Sequence, residues 1–234
     1  LSRLQHSKQN MDFEMKELNQ KVIKFEYDQN FNDIDFYISK SNKHVVDLIN
    51  LWPKWEKNFL NICGESFSGK THLTNIFLKK FKGIKIEANN LNNDFLKTIK
   101  LHQNIVLENL KTEIDENLFF TLLNIVDQDN KHLIVTSIEP VVNLNFKLID
   151  LNSRSKNFLI QMLEKPDDEL IFALILKNLS DKQILLDKKL INYIIKRIDR
   201  SYSKIFDFIY KIDEMSLKKK KSINLKIIKE VLGD

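Results

Sequence analysis

Residues 64–71 read Gly64-Glu65-Ser66-Phe67-Ser68-Gly69-Lys70-Thr71 and fill every fixed position of the pattern G-x-x-x-x-G-K-[ST]. Phosphate chemistry explains the spacing. Two glycines let the backbone fold back so that successive N–H groups converge on a β-phosphate. Lys70 adds positive charge for the β- and γ-phosphates, and Thr71 supplies a hydroxyl for Mg²⁺. The flanks agree. Phe59-Leu60-Asn61-Ile62-Cys63 reads as a buried strand, and Thr71-His72-Leu73-Thr74 opens a helix whose N-terminus, His72 included, faces the phosphates. The chain holds four glycines, and two of them stand here. A chance Gly/Ser turn is the alternative, and it accounts for neither flank. The stretch implies a nucleoside di- or triphosphate ligand.

Outward from this loop, short apolar runs alternate with helical spacing. Strand candidates are 59–63, 84–87, 105–108, 133–136 and 158–162; 71–81, 91–101 and 116–127 read as helices. Short apolar strands separated by helices predict an α/β fold with a five-stranded parallel sheet covered on both faces, its ligand at the carboxyl ends of the strands. A helix over 44–51 precedes the sheet and ends at Trp52-Pro53. Beyond Pro166 only helical patterns appear, over 168–178, 187–198, 203–215 and 225–232. Residues 1–19 are polar, 20–25 read as extended, and Met11 is a second place where the natural chain could start.

Composition sets bounds. The 234 residues are 43% hydrophobic and 29% charged. No apolar run reaches the roughly 18 residues of a membrane span, and the first 20 residues lack a signal peptide's apolar core. A lone cysteine, Cys63, excludes an internal disulfide and suits a reducing cytoplasm. The net charge of +5 is unevenly placed: residues 1–164 carry 21 basic and 21 acidic side chains, residues 165–234 carry 16 and 11. The run Lys218–Lys221 is either a solvated loop or a phosphate-contacting patch. Only four arginines stand against 33 lysines, which directs attention to Arg154, because a planar guanidinium is not replaced by an ammonium.

This order of motifs resembles the AAA+ ATPases, and within them the DnaA group with its regulator Hda in the alphaproteobacterial form. The likeness runs from Gln20 to Leu232. It rests on Trp52-Pro53-Lys54-Trp55 leading into 64–73, on Ile194-Ile195-Lys196-Arg197-Ile198-Asp199-Arg200 with the helix that follows, and on Ile227-Ile228-Lys229-Glu230-Val231-Leu232. The resemblance implies an N-terminal tail over 1–27, an α/β nucleotide-binding core over 28–164 and a helical lid over 165–234. Initiators of the group continue into a helix-turn-helix domain; the sequence read here ends at Asp234 before one, which favours the Hda side of the group. Such regulators carry a peptide that docks on the polymerase sliding clamp, and Gln20, Ile23 and Phe25 fit its pattern. An edge strand or a tail packed on the core is the other reading of those residues.

The resemblance also gives roles to single residues. In Asn104-Ile105-Val106-Leu107-Glu108-Asn109, Glu108 takes the Mg²⁺-side position and Asn109 the place of the acid that polarises water. An amide cannot act as a general base, so intrinsic hydrolysis is expected to be slow. Thr136 or Ser137 would contact the γ-phosphate or the water, with Ile138 where relatives are polar. Lys204 stands for a second sensor that is usually arginine, or else for a solvated helix face. Arg154 matches the finger that acts in trans on a partner's γ-phosphate; a surface arginine in a turn is its plainer reading. Together these imply a negative regulator of replication initiation that holds ADP or ATP with Mg²⁺, binds the clamp, stimulates hydrolysis of DnaA-bound ATP, and could form a homodimer. The alternatives are an autonomous DNA-dependent ATPase or loader, and an accessory factor that touches DNA weakly through its basic lid.

Overall fold

Strands that are apolar on both faces must be covered on both faces, and the chain does this with three layers. The computed structural model describes residues 36–219 and 223–233. Gln20, Ile23 and Phe25 lie outside the described residues, as do Lys220 and Lys221 of the lysine run.

Helix α1 (Lys43–Asn50) leads into β1 (Phe59–Cys63), α2 (Lys70–Phe81), β2 (Ile84–Glu87), α3 (Asn93–Thr98), β3 (Asn104–Leu110), α4 (Glu116–Gln128), β4 (His132–Ser137), α5 (Ile149–Ser155) and β5 (Leu159–Met162). The five strands form one parallel sheet in the order β2-β3-β4-β1-β5. Side chains alternate across it with a period of two. Phe59, Ile105, Leu107, Leu133 and Val135 pack with α3, α4 and α5, while Leu60, Ile62, Val106 and Ile134 pack with α1 and α2. On the second face Trp55 stacks on Phe77, and Trp52 meets Phe77 edge-on.

Most helices start where a short polar side chain takes the first free N–H groups: Asn92 for α3, Asp115 for α4, Asp167 for α6 (Asp168–Asp181), Asp187 for α7 (Lys188–Ile195) and Asn224 for α9 (Leu225–Leu232). With α8 (Tyr202–Lys219) the last four build a separate apolar cluster around Ile171, Ile175, Ile194, Ile205, Phe208 and Ile228. Four of the five strand readings agree to within one residue at each end. The fifth, β3, extends beyond its reading to Leu110 because a bulge lets pairing resume there. Helix α5 is absent from the sequence reading; seven residues with polar Asp150, Asn152 and Ser153 carry too little apolar spacing to signal a helix. No helix among the described residues is long and apolar enough to cross a membrane.

Phe77 is 1% exposed between both tryptophans of the chain. Phe77→Ala is expected to lower the unfolding free energy by about 3–5 kcal/mol. Urea titration followed by Trp52 and Trp55 fluorescence measures it.

Candidate functional site

Strand β1 delivers the loop 64–69 at the carboxyl edge of the sheet, and α2 carries it away. Gly64 has φ +153° and Gly69 φ +96°. A Cβ at Gly69 would sit 3.0 Å from the Phe36 ring, in a conformation that side chains other than glycine rarely adopt. Gly69 also leaves α2 without a side-chain cap, so its N-terminal N–H groups are open to an anion. Lys70 is 7% exposed, and its ammonium donates to the carbonyls of Gly64 at 2.7 Å and Glu65 at 2.8 Å. Burial pushes its pKa below the ordinary value. The Ser68 hydroxyl is buried in the same loop with no partner. A buried cation, an uncapped helix start and an orphan hydroxyl together suit a phosphate. Cys63, just before, is buried, and burial pushes its thiol up, so it is an unreactive filler.

The end of β3 shapes the other wall. Its register breaks between Leu107 and Leu110, a bulge that re-aims successive side chains. Glu108 turns inward, 2% exposed; it accepts the Thr74 hydroxyl and lies 3.7 Å from the Lys85 ammonium. Asn109 turns outward in the left-handed region at φ +58°, where asparagine is among the better tolerated residues. Its N–H donates to the Thr136 hydroxyl at 2.9 Å, and its side-chain amide donates to Glu87 at 2.8 Å. Ser137 donates to the carbonyl of Glu139 and accepts from Asn61. Thr136 and Ser137 are thus engaged internally, and Ile138 is the residue of that segment lining the cleft. The cleft measures about 560 Å³ and brings together Ser66 to Ser68, Lys70 and Thr71 with Glu87 to Asn89 from the end of β2 and Asn109, Lys111 and Glu113 from the end of β3.

For Mg²⁺ the donor set is small. No group of three or more His, Cys, Asp or Glu among the described residues is placed to hold a metal ion. Thr71 lines the cleft, and Glu108 lies buried beside it against the Thr74 hydroxyl.

The loop also meets the helical region directly. The Glu65 carboxylate accepts from the Ser201 hydroxyl, from the N–H of Tyr202 at 3.1 Å, and from the hydroxyl of Ser203 at 3.0 Å, at the start of α8. Phe67 packs its ring 5.4 Å from Phe206. Tyr202 is buried, which pushes its pKa up to about 12, and donates its hydroxyl to the Glu164 carbonyl. Lys204 points to solvent one residue beyond Ser203. Arg154 stands on α5, away from the cleft lining. Its guanidinium lies 3.8 Å from Asp127 and 5.2 Å from the Phe120 ring, with about a third of the side chain exposed. His72 packs edge-on against Phe36. Lys218 pairs with Glu214 one turn back on α8. Sequence reasoning did not single out Glu87, Ser201 or Ser203, and gave Glu65 no role beyond its place in the loop.

The model of the Hda lid domain matches residues 167–232. DnaA of Bacteroides thetaiotaomicron is 24% identical over 225 residues, covering 86% of this chain and 48% of that protein. Domain III of the Thermotoga maritima replication initiation protein DnaA matches with a TM-score of 0.69 at 19% identity, over 88% of this chain and 97% of that one. AMPPCP-bound DnaA from Aquifex aeolicus matches with a TM-score of 0.65 at 20% identity, over 83% and 68%. The chain spans about half the length of the initiator from Bacteroides.

Glu65 carries a pH dependence. Burial raises its pKa, but the hydrogen bonds from Ser201, Ser203 and Tyr202 outweigh it and hold the carboxyl below its ordinary 4.5. A lowered folded pKa means stability that is present above the ordinary value and lost as pH falls through the folded one. Glu65→Gln is therefore expected to unfold at lower temperature than the unmodified chain at pH 7. The gap should close as the pH is taken below 4.5 in a calorimetric series.

Proposed function

We propose that this chain, a DnaA- and Hda-related AAA+ protein, is a regulator of replication initiation that holds a nucleotide and acts on the ATP of a partner. The loop 64–71 keeps ADP or ATP as a bound ligand, with Lys70 and the start of α2 on the phosphates. Mg²⁺, held by Thr71 and through water by Glu108, neutralises phosphate charge. Gln20, Ile23 and Phe25 dock on the sliding clamp, an assignment that rests on their sequence pattern. Arg154 reaches ATP bound by DnaA and promotes its hydrolysis, which shuts initiation down. Such a role belongs in the cytoplasm. Weak, salt-sensitive contact of the basic helical region with DNA and pairing of two copies belong to the same reading.

One observation carries it. Asn109 stands beside an otherwise complete phosphate loop, at the bulge where a hydrolysing acid would project. A site built to hold a nucleotide but stripped of that acid suits a ligand more than a motor. Arg154 supports the second half. Its guanidinium meets a carboxylate at 3.8 Å and a ring at 5.2 Å, long contacts that a partner's phosphate can replace. A guanidinium delivered in trans is worth roughly 10³–10⁵ in rate.

The test mixes clamp, DNA, ATP-loaded DnaA and this protein. Arg154→Ala is expected to abolish the stimulated hydrolysis while ADP binding and clamp binding persist. Arg154→Lys should recover little, since an ammonium lacks the planar fork. Normal stimulation by Arg154→Ala removes the trans mechanism. Fast hydrolysis by the protein alone, on the order of tens per second, would favour an autonomous ATPase instead.

A clamp pull-down checks the tail. The double change Gln20→Ala and Phe25→Ala is expected to remove clamp association and leave nucleotide affinity as it was. Undiminished capture would place the contact elsewhere.

A further inference from the structure

We propose that Glu87, at the end of β2, is the carboxylate that takes the proton from water when this chain slowly hydrolyses its own ATP. The inference rests on the nucleotide-holding reading above and goes beyond it, because it assigns the base that β3 lacks.

Glu87 and Glu113 are the carboxylates that line the cleft, and Glu65 and Glu108 stand on the loop and strand beside it. Glu65 is engaged by Ser201, Tyr202 and Ser203 at the start of α8. Glu108 is 2% exposed, takes the Thr74 hydroxyl and faces the Lys85 ammonium. Glu65 is held by α8, and Glu108 is committed to the Mg²⁺ side in the reading above, so neither is placed to take a proton from the attacking water. Glu113 lines the cleft from the turn after β3 as an exposed side chain. Glu87 lines the cleft with Lys70 and Thr71 and is oriented.

The orientation comes from the residue that removed the usual acid. Parallel pairing puts Glu87 level with Glu108, so Glu87 and Asn109 are neighbours across two strands. The bulge and the bond from its N–H to Thr136 fix Asn109. Its side-chain amide then donates to Oε2 of Glu87 at 2.8 Å. That bond occupies Oε2, and Oε1 is left to accept a proton. Asn109 is in this account a positioning residue, and the acid has moved one strand over.

The step balances without a further reagent. The water oxygen forms a bond to the γ-phosphorus, and the bond from that phosphorus to the β–γ bridging oxygen breaks. The electron pair stays on the bridging oxygen of ADP, and the water proton passes to Glu87 Oε1 and then to solvent. A base reaching in from β2 serves less directly than one at the end of β3, which is consistent with slow turnover.

The experiment follows single turnovers of γ-labelled ATP by the full chain, alongside equilibrium binding of fluorescent ADP and ATP. Lys70→Ala sets the background. Glu87→Gln keeps an oxygen for the Asn109 amide but cannot take the proton. It is expected to bind ADP within about twofold of the unmodified protein and to turn over about 10²-fold more slowly, the lower end of what a general base contributes. Its preference for ATP over ADP should rise, because a negative charge near the γ-phosphate is gone. Adding Asn109→Asp to Glu87→Gln returns a carboxylate to the cleft and should recover part of the rate. The assignment is overturned by unchanged turnover in Glu87→Gln with binding intact, by loss of ADP binding in that variant, by loss of turnover through Glu113→Gln instead, or by ATP bound without any turnover above background. An unmodified protein that binds neither nucleotide overturns the nucleotide-holding reading itself, and is told apart by the binding arm.

Discussion

A single carboxylate on the phosphate loop ties the sheet, with an apolar cluster on each face, to the separate apolar cluster of α6 to α9. Glu65 accepts hydrogen bonds from three consecutive residues, Ser201 to Ser203, where α8 begins. The start of an α-helix carries partial positive charge and unpaired N–H groups, so an anion there is favoured twice. Helix α8 is 18 residues long, and its buried face of Ile205, Phe208, Ile209 and Ile212 organises the packing of the other three helices around it. Fixing one end of α8 to the loop therefore fixes the helical region relative to the site. The contact is polar, short-ranged and one residue from Gly64, where the loop leaves β1.

That arrangement bears on how a nucleotide would be sensed. A lid that closes on a γ-phosphate needs a cation from α8 directed into the cleft. Here Ser203 faces the loop and Lys204, one residue and about 100° around the helix, faces solvent. The contact between Glu65 and α8 involves no phosphate group. It can hold with ADP or with ATP, which agrees with a chain that keeps its nucleotide as a ligand.

Much of this was legible in the sequence because it depends on local pattern. The loop is recognised by fixed residues at fixed spacing, and the strands by short runs such as Phe59–Cys63 that are buried along their whole length. What was not legible depends on register and rotation. Lys204 could be placed on α8 but not on a face of it, since a slip of one residue moves a side chain by more than a quarter turn. Glu87 ends an amphipathic strand and reads as an ordinary charged terminus. Only the pairing of β2 with β3, together with the bulge, brings it to Asn109. The variable positions of the loop motif are silent by construction, so the role of Glu65 could not be seen either.

The same bulge explains why asparagine is suited to position 109. At φ +58° a residue with a long side chain is strained, and asparagine is one of the few that visits this region readily. An N–H from the strand end to Thr136 holds that conformation, and an acid in its place would face Glu87 at about the distance of a hydrogen bond, where two charged carboxylates repel. The amide thus answers two constraints at once, one of backbone conformation and one of charge. With the Glu87 carboxylate already at the end of β2, a second one at position 109 is disfavoured, and the amide there follows from where the neighbouring strand put its acid.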